Sequence, residues 1–305
     1  MRYCAYQIVF VICFSHWHLL SQKYDITYSI GKIDRIENFP SKYVTSRNID
    51  VWLPENYRSN KEYAVLYMHD GQMLFDPSNT WNKQSWEIDS VASALFHKKE
   101  IKEFIVIGIW NDGIHRHQDY FPNKTFSMLP KDDQTSLKSQ LNDTSFHPNG
   151  DNYLRFIVQE LKPFIEVKYS VSKKSNDNYI AGSSMGGLIS IYALCEYPKE
   201  FGGAACLSTH WTGSYTTENN SFPFYMEKYL FKKIKKLKSK RIYFDCGDQE
   251  LDALYPSIQN KIDEIFNNSK FKHVKFLSKY FPNEGHNENA WKKRVHFPLT
   301  FLFSY

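Results

Sequence analysis

The chain has 305 residues, 42% apolar and 17% aromatic, and its 38 basic against 33 acidic side chains leave a formal charge of +5. That much aromatic area is buried by collapse, which excludes wholesale disorder. Apolar stretches are short and interrupted, excluding a multi-spanning membrane protein, and the mild, mixed charge gives no ground for nucleic-acid binding.

Met1-Arg2 is a positive start, Tyr3 to Ser15 an uncharged, largely apolar run, and Ser21 a small residue ahead of charged Lys23. These are the parts of a secretory signal peptide, so residues 1-21 are expected to direct a secreted or periplasmic protein. The run is too short to span a bilayer comfortably, and no stable membrane span is expected. Cleavage after Ser21 removes Cys4 and Cys13. Cys195, Cys206 and Cys246 remain, each in an apolar run, and read as buried small residues rather than a disulfide framework or a zinc cluster.

Residues 22-305 read as one α/β domain. Asn48 to Leu53 and Glu62 to Met68 are β-rich runs, and Phe104 to Trp110 (FIVIGIW) is a third, apolar enough to be buried on both faces. Asn111 to Asp151 breaks the rhythm: it is rich in Pro, Gly, Asn, Asp and His, shows little periodicity, and reads as a cap or substrate loop. Tyr153 to Val167 carries Leu154, Ile157, Leu161 and Ile165 on one helical face, with a kink expected at Pro163. Strand Asn178 to Gly182, a helix from Ser184 to about Tyr197, and strand Gly203 to Ser208 follow. Next come a helix around Phe224 to Leu237, strand Arg241 to Cys246, helix Ala253 to Phe266 and strand His273 to Leu277. A last helix runs from Asn287, interrupted by Pro298. Strands alternating with helices imply a mainly parallel sheet covered on both faces.

Gly182-Ser183-Ser184-Met185-Gly186 has the form G-x-S-x-G, with a buried strand running in and a helical pattern running out. A serine on such a sharp strand-to-helix turn projects its hydroxyl above the sheet, and the helix N-terminus points N–H groups at an oxyanion. Ser184 is therefore the candidate nucleophile. A serine needs a base, and in this strand-turn-helix context an acid and then a histidine follow downstream. Strand Arg241 to Cys246 ends in a run of acids, Asp248, Glu250 and Asp252, and His286 lies after the next strand. Neutral His286 takes the serine proton in this reading, and the acid fixes its tautomer. Met68-His69-Asp70-Gly71-Gln72 follows an earlier buried strand, so the backbone N–H groups of Gln72 and Met185 are the expected oxyanion donors; His69 and Asp70, which precede the serine, shape that loop. Trp211 is a candidate aromatic wall for substrate, and Arg116 and Tyr120 candidate contacts to a polar or acidic one.

At these residues the sequence resembles the Putative esterase family of α/β-hydrolases, which includes esterase D-like and enterochelin esterase-like proteins. The likeness spans Ser46 to Pro54, the HDGQ segment at His69, GSSMGG, Tyr243 to Gly247 and Gly285 to Trp291. It implies the α/β-hydrolase fold and a serine carboxylic-ester hydrolase with nucleophile Ser184 and base His286. Leu251-Asp252 matches the segment that carries the acid in many relatives and favours Asp252; other members place it where Glu250 stands. The resemblance implies acyl esters of carbohydrates or siderophores, or thioesters, as substrates, and no metal or organic cofactor. Some relatives transfer the acyl group to an alcohol, because water and alcohol attack the same acyl-enzyme. An acyltransferase, or a binding module that kept the fold, are the alternatives.

Two further features carry less. Lys232 to Arg241 holds seven basic residues, but Phe231, Ile234 and Leu237 recur every three positions, so the lysines read as the solvent face of a helix rather than a nucleic-acid site. His115 and His117 lack a third ligand at metal-binding spacing.

Overall fold

Eight strands form the spine: β1 (Lys32–Phe39), β2 (Arg47–Leu53), β3 (Ala64–His69), β4 (Phe104–Ile109), β5 (Asn178–Ser183), β6 (Gly203–Leu207), β7 (Arg241–Cys246) and β8 (Lys275–Tyr280). They make one sheet in the order β1-β2-β4-β3-β5-β6-β7-β8. The β1–β2 and β2–β4 pairs are antiparallel and all others parallel. The computed structural model describes residues 30–268 and 273–305, so the signal-peptide expectation for 1–21, with Cys4 and Cys13, lies outside the described residues.

The helices are α1 (Ile88–His97), α2 (Arg116–Asp119), α3 (Asn123–Met128), α4 (Lys131–Gln140), α5 (Gly150–Arg155), α6 (Lys162–Lys168), α7 (Met185–Glu196), α8 (Phe222–Lys233), α9 (Pro256–Asn267), α10 (Glu288–Arg294) and α11 (His296–Phe303). Side chains alternate across a strand, so each central strand feeds two cores. Val65 and Tyr67 of β3, Ile180 of β5 and Cys206 of β6 pack with α5 to α9 on one face. Leu66 and Met68, Ala181, and Leu207 pack with α1, α10 and α11 on the other. This is the α/β-hydrolase arrangement, and the switch of strand order puts the carboxyl ends of β3, β5, β6 and β7 side by side, where such sheets hold ligands.

Several expectations need correction. Residues 111–151, expected as a cap or substrate loop, hold short helices: α2, α3, α4 and the start of α5. Pro163 does not break its helix. A π-helical turn over Phe156–Leu161 links α5 to α6, and Pro163 follows it directly, so the change of hydrogen-bond register falls where the proline has no N–H to give. Phe231 is exposed, whereas Ile234 and Leu237 are buried as expected. The three described cysteines are free and buried. Among the described residues no helix is long and apolar enough to cross a membrane.

Candidate active site

Ser184 sits between β5 and α7 with φ 57° and ψ −124°, a backbone conformation that costs a side-chain-bearing residue energy. The surroundings hold it there. Its N–H donates to the Leu207 carbonyl (3.0 Å), and its own carbonyl accepts from Leu188 (3.1 Å) and His210 (3.1 Å). Strand and helix come so close that a Cβ on Gly182 would lie 2.8 Å from the backbone of Gly186. Helix α7 is buried from Met185 to Cys195, so packing on every side fixes the turn at its head. Ser184 itself stays partly open to solvent.

His286 and Asp252 meet across two loops. After β7 the chain turns at Gly247, where a Cβ would strike the Glu284 carbonyl at 2.0 Å; this lets the loop before α10 lie directly on the loop after β7. His286 Nδ1 lies 2.6 Å from Asp252 Oδ1. The carboxylate is fully buried and accepts there, so Nδ1 carries the proton and Nε2 is left as the acceptor. Asp252 Oδ2 accepts from the Gly247 N–H (2.6 Å) and the Ser208 hydroxyl (2.6 Å). Glu250 plays a different part: its carboxylate accepts the backbone N–H of His286 (2.7 Å) and lies near the Asn287 amide, not on the imidazole.

Gln72 lies in a single 3-10 turn, Gly71–Met73, that follows Asp70. Asp70 is left-handed (φ 57°), and its carboxylate is gripped by Arg116 (2.8 and 2.7 Å), Asn111 (2.7 Å) and Tyr120 (3.1 Å). The turn's first closing bond runs from Met73 N–H to the Asp70 carbonyl, one residue beyond Gln72. Met185 is the first residue of α7, ahead of any N–H that reaches a carbonyl within the helix. Burial keeps neighbouring His69 neutral by pulling it down to about 3, and its Nδ1 lies 2.8 Å from the Tyr153 hydroxyl.

Residues 42–301 match the family described as Putative esterase. The chain belongs to that esterase family. Among curated proteins it is similar to the uncharacterized protein YbbA of Bacillus subtilis, at 26% identity over 67% of this chain and 69% of that one. It is also similar to the ferri-bacillibactin esterase BesA of the same organism, at 26% over 49% of each. Among solved structures, the ferulic acid esterase AmCE1/Fae1A of Anaeromyces mucronatus superposes with a TM-score of 0.63 at 17% identity, over 93% of this chain and 94% of that one; at that identity the likeness concerns the fold.

Two expected substrate contacts of this esterase are structural instead. Trp211 is fully buried, donates its indole N–H to Gln259 (2.8 Å) and packs edge-on to Phe244; it is core, not pocket wall. Tyr120 is equally buried, and its hydroxyl is spent on Asp70. Arg116 remains about a third exposed, yet two of its nitrogens are committed to Asp70. Sequence reasoning missed Ser208, Asp245 and Arg294, which stand behind Asp252. One signal was present: Asp245 is a lone charge inside the apolar run IYFDC, and a buried charge demands partners.

Proposed function

We propose that this esterase is an exported serine carboxylic-ester hydrolase working through an acyl-Ser184 intermediate. The observation that carries the proposal is the 2.6 Å bond from His286 Nδ1 to Asp252, which leaves Nε2 free to take a proton, at the end of the sheet where Ser184 occupies its strained turn. Ser184 Oγ attacks the ester carbonyl as His286 Nε2 accepts its proton, and Asp252 stabilises the imidazolium. The N–H groups of Met185 and Gln72 receive the oxyanion. His286 returns the proton to the leaving alkoxide; water then repeats the sequence on the acyl-enzyme, and the acid leaves. No metal or organic cofactor enters these steps. The leader-like pattern of residues 1–21 supports export. The names of BesA and AmCE1/Fae1A support acyl groups of the siderophore or hydroxycinnamate type, carried on small molecules or carbohydrate.

Ser184→Ala should lower kcat/KM on short aryl esters at least about a thousandfold with the fold intact by circular dichroism. Unchanged turnover would end the proposal.

A further inference from the structure

Behind Asp252 lies a buried cluster that the ester chemistry above does not use. Asp245, Ser208 and Arg294 are each no more than 2% exposed. Arg294 Nη2 lies 3.1 Å from Asp245 Oδ1 and 3.7 Å from Asp252 Oδ2, and donates to Ser208 Oγ at 2.7 Å. Trp291 Nε1 donates to the same oxygen at 2.9 Å. A hydroxyl has two lone pairs and one proton, and guanidinium and indole only donate. Both lone pairs of Ser208 are therefore taken, and its proton can go only to Asp252 Oδ2, 2.6 Å away. That bond turns the other oxygen, Oδ1, to His286.

Asp245 and Asp252 are two negative charges against the single positive charge of Arg294. The cluster holds one net negative charge while His286 is neutral and none once it is protonated. Buried ion pairs of this kind are often replaceable by apolar groups at no loss of stability, so stability alone does not account for the pair. We propose that Asp245 and Arg294 are a charge-balancing pair that leaves Asp252 one uncompensated charge for the His286 imidazolium, with Ser208 as the positioning residue that aims it. The proposal rests on the reading of Ser184, His286 and Asp252 as the triad.

The other groups around these two are few. His286 is faced by Tyr255 at the head of α9 and by the buried, neutral His210, while Glu250 meets its backbone N–H. Asp245 accepts from the Tyr243 hydroxyl (2.9 Å) and the Ser208 N–H (3.1 Å), with the Cys206 and Cys246 thiols nearby. Burial pushes Asp245 up to about 6 despite Arg294, so the charge count applies where its carboxylate is ionised, above about pH 6.

The test is the pH profile of kcat/KM on p-nitrophenyl acetate. Asp245→Asn leaves Arg294 to neutralise Asp252, so the acidic limb should move down by about one pH unit. The double variant Asp245→Asn/Arg294→Met restores one net negative charge and should return the limb to its wild-type position; accumulated structural damage would move it further away. Ser208→Ala should lower kcat about tenfold with KM little changed. An unmoved limb in Asp245→Asn, or a limb still displaced in the double variant, overturns the charge balance. Should Asp245→Asn not fold, Arg294→Met, which leaves two uncompensated carboxylates, should move the limb up instead, and an unmoved limb there overturns the charge balance. Ser184→Ala, assayed alongside, separates the two readings: full turnover there overturns the triad itself, whereas an inactive Ser184→Ala beside an unmoved limb overturns only the cluster.

Discussion

Single side chains decide the chemistry, and the two acids after β7 show how. Asp252 and Glu250 are equally acidic in sequence and two residues apart, yet one holds an imidazole nitrogen and the other a backbone N–H. Asp252→Asn should cost about a thousandfold or more in kcat, since an amide at that position stabilises the wrong tautomer, while Glu250→Gln should stay within about tenfold. Steady-state kinetics on both variants checks this; equal, mild losses would mean that neither acid serves His286. Arg116 is a second case. With its guanidinium on Asp70, Arg116→Met should reduce kcat through a loosened Gln72 turn more than it raises KM. A change confined to KM would return Arg116 to the role of substrate contact.

At the scale of elements, legibility followed burial. Strands β3 to β7 lie within two residues of the runs read from sequence, because strands buried on both faces are continuous apolar stretches bounded by turn residues. Strand β1 escaped notice: its sequence KIDRIENF is charged along an exposed edge, where Arg35 pairs with Asp50 of β2 (2.7 Å). Strand β8 begins two residues after and ends three residues after the run His273 to Leu277, since its partly exposed edge carries lysines at Lys275 and Lys279 that blur the pattern. Helices α2 and α3 run four and six residues, too short to show a period, and α4 has one buried residue, Leu137. Ser184 was legible because local sterics write it into G-x-S-x-G. Arg294 was not: in the run KKR it looks like a surface charge, and only the fold of α10 brings it beneath β7. The turn also makes a prediction about packing. Gly182→Val should destabilise the protein by about 1–3 kcal/mol or more in urea unfolding, because its methyls would enter the backbone of α7. A change below about half a kcal/mol would show that strand and helix can separate there.

Across the whole molecule, buried histidines set the response to acid. Burial lowers His69 to about 3 and His117 to about 4, and holds His210 well below its ordinary value. Each is neutral when folded and takes up a proton near pH 6.5 when unfolded. Their stabilisation is therefore complete above about pH 6.5 and drains away as pH falls toward 3 to 4. Asp89 and Asp245, raised to about 6 by burial, act oppositely: their contribution is present below about pH 4 and lost as pH rises through 6. Burial raises Asp263 in the same sense, and the three histidines, with His69 lowered to about 3 and His210 well below its ordinary value, outweigh these acids. Asp70, lowered despite burial by its pairing with Arg116, and Glu196, lowered despite partial burial by its hydrogen bonds to Lys124 and Lys233, lose further stabilisation in stronger acid. The melting temperature should fall steadily between pH 7 and pH 4, and calorimetry showing a maximum near pH 5 would mean that the acids dominate.

All of this serves one claim, that a hydroxyl on the turn before α7 is made nucleophilic by the histidine on the loop before α10. Intact-mass analysis after treatment with a fluorophosphonate tests it most directly. The account predicts a single adduct on the peptide containing Ser184, absent in Ser184→Ala and strongly slowed in His286→Ala. A protein that stays unlabelled, or labels equally fast without His286, would contradict it.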